Sequence, residues 1–128
     1  MEHTKKTILL VEDEIALQEA VKLKLEKMGF EVLVARTGEE ALSILEKKRP
    51  TLVWLDVLLP GMNGFEFLRK IREKPSFKDL AVIVVSVSAG PEKIKQAFSL
   101  NVIDYLIKSD YTIEQLIKRV GDIIKNLP

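Results

Sequence analysis

Asp56 stands inside an apolar run, with Val53, Trp54 and Leu55 before it and Val57, Leu58 and Leu59 after it, and Pro60-Gly61 ends the segment. Aspartate is a poor strand residue and is almost never fully buried without a partner. The partners it could have stand at the ends of other apolar runs. Glu12-Asp13 follows 7–11, Ser86 closes 80–86, and Lys108 closes 102–108. If these runs are parallel strands of one sheet, three carboxylates, a hydroxyl and an ammonium meet at one edge. Two carboxylates about 4 Å apart repel by roughly 4 kcal/mol at an effective dielectric of about 20. One lysine does not offset three acids, but a divalent cation does. Oxygen-only donors in a half-open loop site suit Mg²⁺, which takes few protein ligands and keeps several waters. Asp56 is therefore expected to pair with a metal and with Lys108.

The elements that would position these groups follow from the pattern of the chain. Strand-like runs fall at 7–11, 31–35, 51–56, 80–86 and 102–108. Helical spacing fills the intervals at 14–28, 37–48, 64–74 and 91–100, and a last helix is expected at 112–127. Leu17, Val21, Leu25 and Met28 form the first apolar stripe, and Gly29 stands where a C-terminal cap belongs. Thr37 and Glu40 have capping-box spacing, and Pro91 suits a first helical turn. Ile113, Leu116, Ile117, Val120, Ile124 and Leu127 stripe the last helix. Alternating strands and helices predict an α/β fold with a parallel sheet covered on both faces. Five such units are too few for an eight-stranded barrel, which leaves a doubly wound sheet with its ligand site beyond the carboxyl ends of the strands. Trp54, Phe65, Phe67 and Phe98 read as core, and the Lys and Glu residues of the first two helices as a solvated face.

Length and composition bound the possibilities. The 128 residues suit a single domain over 1–128, and 47% hydrophobic with 30% charged residues argues against a disordered chain. A formal net charge of +1 gives no bulk pull toward nucleic acid or an anionic membrane, so no direct nucleic-acid partner is expected. The absence of cysteine removes disulfides, thiol catalysis and thiolate metal sites. No apolar run approaches the roughly 20 residues of a membrane span, and 1–6 lacks a signal-peptide core, so a cytoplasmic protein with no membrane partner is expected. His3 is the only histidine and reads as a terminal residue rather than a ligand.

The acidic pair in "ILLVEDE", the segment "LDVLLPGMNG" with proline four residues after Asp56, the hydroxyl ending "VIVVS", and "DYLIK" are chemically coherent as a set. In this order and spacing they resemble the receiver domain of two-component response regulators, over nearly the whole chain from 7 to 127. "LVARTGEEAL" is similar to the family's second strand and helix. The resemblance implies a flavodoxin-like (βα)5 fold with strand order 2-1-3-4-5. It implies that Asp56 is a phosphoacceptor taking a phosphoryl group from a histidine kinase or a histidine phosphotransfer protein, with Mg²⁺ as cofactor. Asp13 matches the direct metal ligand, Glu12 a ligand through water, and the backbone carbonyl of Leu58 the third protein ligand. Lys108 matches the lysine that contacts the phosphoryl group, Ser86 the switch hydroxyl and Tyr105 the switch aromatic. Ser86 is expected to move toward the phosphoryl oxygens, and Tyr105, taken as half-exposed on an edge strand, to swing into the space behind it. A downstream protein target would then read the fourth helix, fifth strand and fifth helix.

The chain departs from the family pattern at several positions. Ser109 follows Lys108 where the family usually has a proline after a cis bond, which leaves the isomer of that bond open. Val87 follows Ser86 where a small residue is common, and it narrows access to Asp56. Leu58 and Ser88 lie where attacking water would pass, and Ser88 is a rival to Ser86 as the switch hydroxyl. The expectation is a non-enzymatic phosphoacceptor that assists its own phosphorylation and dephosphorylation and carries no output domain, or a fragment of a larger regulator. Two other classes stand as alternatives. An aspartyl-phosphate phosphatase of the haloacid-dehalogenase group needs a second aspartate where Leu58 stands. A receiver-like adaptor that binds partners without phosphorylation has no need of the acidic set.

Overall fold

A computed structural model describes residues 5–128; His3 and its expected terminal role lie outside the described residues. Five parallel strands, β1 (Thr7–Val11), β2 (Glu31–Ala35), β3 (Leu52–Leu55), β4 (Ala81–Ser86) and β5 (Asp104–Ile107), form one sheet in the order β2-β1-β3-β4-β5. Between and after them run α1 (Ile15–Lys27), α2 (Gly38–Lys47), α3 (Gly64–Arg72), α4 (Pro91–Ser99) and α5 (Ile113–Lys125). This is the flavodoxin-like order expected from the sequence. Among the described residues, no helix is long and apolar enough to cross a membrane.

The strand interiors are apolar because successive side chains enter two different cores. Leu9, Val11, Val53, Leu55, Val82 and Val84 face one core, with Ala41 and Leu45 of α2, Phe67, Leu68 and Ile71 of α3, and Ala97 of α4. Ile8, Leu10, Leu52, Trp54, Ile83 and Val85 face the other, with Val21 and Leu25 of α1 and the α5 stripe. With both faces covered, the chemistry-bearing residues are left at the carboxyl ends of the strands. Register aligns those ends: Val11 pairs with Leu55, and Leu55 with Val84. Asp56 follows at once, its amide donating to the carbonyl of Val11 at 3.0 Å.

The helix ends depart from expectation in detail. Thr37 Oγ accepts from the amide of Glu40, but the Glu40 carboxylate turns to the amide of Arg36, so that capping box is only half made. A complete capping box opens α5, between Thr112 and Gln115. Gly29 takes φ +95° after α1, a region that favours glycine.

Phe98 is not core. It is 47% exposed on α4, whose buried position is Ala97, with Ile94 and Leu100 packed beside it. Phe98 lies one residue, about 100°, around the helix from Ala97. Trp54, Phe65 and Phe67 are buried as expected.

Two glycines mark close approaches of different kinds. A Cβ on Gly64, the first residue of α3, would stand 2.5 Å from Val57 Cα and 2.7 Å from the carbonyl oxygen of Asp56. Both atoms are backbone and belong to the turn that carries Asp56. A Cβ on Gly121 would stand 2.5 Å from Met28 Cε, the far end of a flexible side chain. Gly64→Ala should therefore cost about 1–3 kcal/mol through forced backbone movement. Gly121→Ala should stay within about 1 kcal/mol of wild type, since the gain in helix propensity offsets displacement of Met28. Urea unfolding of the two variants checks this, and equal costs would refute the distinction.

Candidate functional site

The β1–α1 and β3–α3 loops and the carboxyl ends of β4 and β5 bring five side chains together. Asp56 is 3% exposed, Glu12 1% and Ser86 0%, while Asp13 is half-buried. Lys108 donates to Glu12 Oε1 at 2.7 Å and to Asp56 Oδ2 at 2.9 Å. The other oxygen of Asp56, Oδ1, accepts from Ser86 Oγ at 2.8 Å and from the amide of Leu58 at 2.9 Å. Glu12 Oε2 accepts from the amide of Glu14 at 3.1 Å. Every oxygen of the two buried carboxylates thus has a donor, as burial demands.

The charges remain unbalanced. One oxygen from each of Glu12, Asp13 and Asp56 lies within 4.8 Å of the others. Two unit charges at that separation repel by about 3 kcal/mol at an effective dielectric of about 20. Burial, with Asp56 adding to it, pushes Glu12 above the usual carboxylate range against the pull of Lys108. Burial also opposes the Lys108 ammonium, but its bonds to Glu12 and Asp56 outweigh that and hold it above the ordinary lysine value. Three carboxylate donors around one lysine, reachable from the half-buried Asp13, fit a hard divalent cation.

The remaining site residues fall as follows. Ser86, not Ser88, meets Asp56. Ser88 lies one step further out, its amide donating to Ser86 Oγ at 3.2 Å. Tyr105 is not half-exposed. It is 8% exposed, packed in the α2–α3–α4 core, and its hydroxyl donates to the carbonyl of Ser88. The β4–α4 loop presents an acceptor for the buried phenol. Burial raises the pKa of that phenol, and Asp56 adds to the effect. Val87 stands at the rim, 59% exposed, and the Leu58 side chain is 49% exposed. The Lys108–Ser109 bond is not cis. Gly64 was missed in reading the sequence; the "PGMNG" turn was a signal, but the reason for its last glycine is the close approach of the Asp56 backbone.

Comparison with known proteins agrees with this geometry. The family model for the response regulator receiver domain matches residues 8–121. The probable transcriptional regulator ycf27 of Cyanophora paradoxa is 30% identical over 125 residues, covering 98% of this chain and 51% of that protein. The chain spans about half the length of the curated relatives it matches. The phosphorylated cyanobacterial phytochrome response regulator RcpA superposes with a TM-score of 0.85 at 31% identity, covering 98% of this chain and 99% of that one. The Mn²⁺-bound form of response regulator Rcp1 superposes with a TM-score of 0.82 at 31% identity, covering 96% of this chain and 99% of that one.

The shared lysine generates a stability prediction. Lys108→Met leaves Glu12 and Asp56 without their cation and should destabilise the domain by on the order of 3 kcal/mol at about pH 8. A carboxyl whose folded-state pKa is raised contributes stability that is fully present below its unfolded value and is lost as pH rises through the raised one. Removing Lys108 raises Glu12 further, so the deficit should shrink toward about pH 5. Urea titrations of both proteins at the two pH values test this; a deficit that grows on acidification would contradict it.

Proposed function

The chain belongs to the response regulator receiver domain family, and from that membership we propose that Asp56 is its phosphoacceptor, loaded from a histidine kinase or a histidine phosphotransfer protein. The observation that carries the assignment is the pairing of a buried Asp56 with both Lys108 and Ser86, beside two further acids. An Asp56 carboxylate oxygen attacks the phosphorus of a phosphohistidine. The P–N bond breaks, its electron pair leaves with the imidazole, and an aspartyl phosphate remains. Lys108, now on Asp56 Oδ2, is placed to follow the charge onto a phosphoryl oxygen, and the Ser86 hydroxyl to donate to another. Phosphoryl transfer asks for positioning and charge neutralisation more than for covalent help.

Receiver domains bind Mg²⁺ or Mn²⁺ at an acidic site. Here Glu12, Asp13, Asp56 and the backbone carbonyl of Leu58 would hold Mg²⁺, which when bound supplies the positive charge that Lys108 alone does not. On this reading the protein is not a turnover enzyme but an acceptor that assists its own phosphorylation and dephosphorylation. Receiver domains in general interact with histidine kinases and downstream targets. For this chain we assign output to a protein partner on the α4–β5–α5 face, where Phe98 and Ile103 are 47% and 40% exposed, and a cytoplasmic location, where phosphoryl groups from ATP are at hand.

Incubation with acetyl phosphate and Mg²⁺ should add one phosphoryl mass to wild type and none to Asp56→Ala, and hydroxylamine should remove it. A stable adduct that persists in Asp56→Ala would contradict the assignment. Calorimetry should show markedly weaker Mg²⁺ binding to Asp13→Asn, and equal affinity would remove Asp13 from the metal site.

A further inference from the structure

Ser88 is tied at three atoms to three different partners. Its amide donates to Ser86 Oγ, its carbonyl accepts from the Tyr105 hydroxyl, and its Oγ accepts from Lys93 Nζ on α4. Ser86 Oγ in turn donates to Asp56 Oδ1 at 2.8 Å. One continuous path of hydrogen bonds therefore runs from the phosphoacceptor through the β4–α4 loop to β5 and to α4. Among the described residues, Ser88 is the only position of 87–90 with hydrogen bonds to the site or to β5. The loop has little else to hold it. Gly90 takes φ +141°, a conformation that glycine adopts without strain, and Pro91 has no amide to donate.

Resting on the phosphoacceptor reading, we infer that Lys93 is a positioning residue for the reaction: by holding Ser88 Oγ, it sets the loop that keeps the Ser86 hydroxyl on Asp56 and the Tyr105 ring inside. An exposed lysine on a surface hydroxyl ordinarily contributes little. Lys93 differs because the group it holds has two other contacts, and both lead to buried residues. If Ser88 turns away, Ser86 Oγ loses its donor and Tyr105 loses its acceptor in one movement. A buried phenol without an acceptor is costly, so the ring follows the loop outward. Lys93 is thus the point on α4 where the state of the site and the packing of β5 are held together.

The test uses Lys93→Met, which keeps the stem and removes the ammonium, with Lys93→Arg and Ser88→Ala. Two quantities are read: the rate of Asp56 phosphorylation by acetyl phosphate with Mg²⁺, and the solvent exposure of Tyr105 by fluorine NMR of protein labelled with 3-fluorotyrosine, its signal assigned with Tyr105→Phe. In Lys93→Met and in Ser88→Ala the Tyr105 signal should move toward its exposed position without any donor present, and phosphorylation should slow by about two- to tenfold, the value of one hydrogen bond. Lys93→Arg should restore both, with all melting temperatures near wild type. A Lys93→Met protein that keeps Tyr105 buried, or keeps the wild-type rate, or is not restored by arginine, overturns the inference. Failure of the phosphoacceptor reading would look different: wild type itself would not be phosphorylated, while the Tyr105 signal would still report on the clamp.

Discussion

Lys108 is shared between two buried carboxylates, and the rest of the site is arranged around that shortage of positive charge. Glu12 and Asp56 each take one bond from the same ammonium, at 2.7 and 2.9 Å. Asp13 adds a third acid within 4.8 Å. Such a cluster is a poor way to stabilise a fold, since buried ion pairs rarely repay their desolvation. It is a good way to prepare a site for a ligand that carries positive charge, and for an acceptor that must be ionised and reachable. The raised pKa of Glu12 is the local cost of that preparation.

The fold makes the arrangement tolerable by keeping everything else apolar and closed. Each strand divides its side chains between two cores, and the central strands β1 and β3 are buried along their whole length. The buried charges Glu12 and Asp56 stand at the carboxyl edge, where the strands leave the two cores. There the backbone takes part: the Leu58 amide holds Asp56, the Glu14 amide holds Glu12, and α3 begins on Gly64 against the backbone of Asp56 itself. The same edge carries Ser88, through which Asp56 and Ser86 are joined to Tyr105 and α4.

The elements were legible in the sequence because each repeats a simple period, and the strand ends because an apolar run stops where a charged residue appears. Boundaries were less so. The run 102–108 shrinks to β5 over Asp104–Ile107 because pairing with β4 decides where a strand stops. That Glu12, Asp56, Ser86 and Lys108 meet was readable from topology alone, since a parallel sheet puts all such ends on one side. The errors share a physical origin. Phe98 is as apolar as any core residue, yet α4 buries only a narrow face. Tyr105 sits on an edge strand, but its side chain points into the α2–α3–α4 core and finds the Ser88 carbonyl there. The roles of Gly64 and Ser88 depend on what another segment brings near them, and no local pattern encodes that.

As the proposed phosphoacceptor, Asp56 would form a covalent bond to phosphorus through its carboxylate, while Lys108 and Ser86 assist and are not modified. Borohydride reduces an acyl phosphate to an alcohol and so converts a phosphorylated aspartate to homoserine. Treatment of the acetyl-phosphate-loaded protein with borohydride, followed by peptide sequencing in a mass spectrometer, reads the position directly. Homoserine is expected at position 56 and at no other aspartate, with no reduced glutamate and with the peptides containing Ser86 and Ser88 unchanged. Homoserine at position 13, or phosphate retained on Ser86 or Ser88, would contradict it.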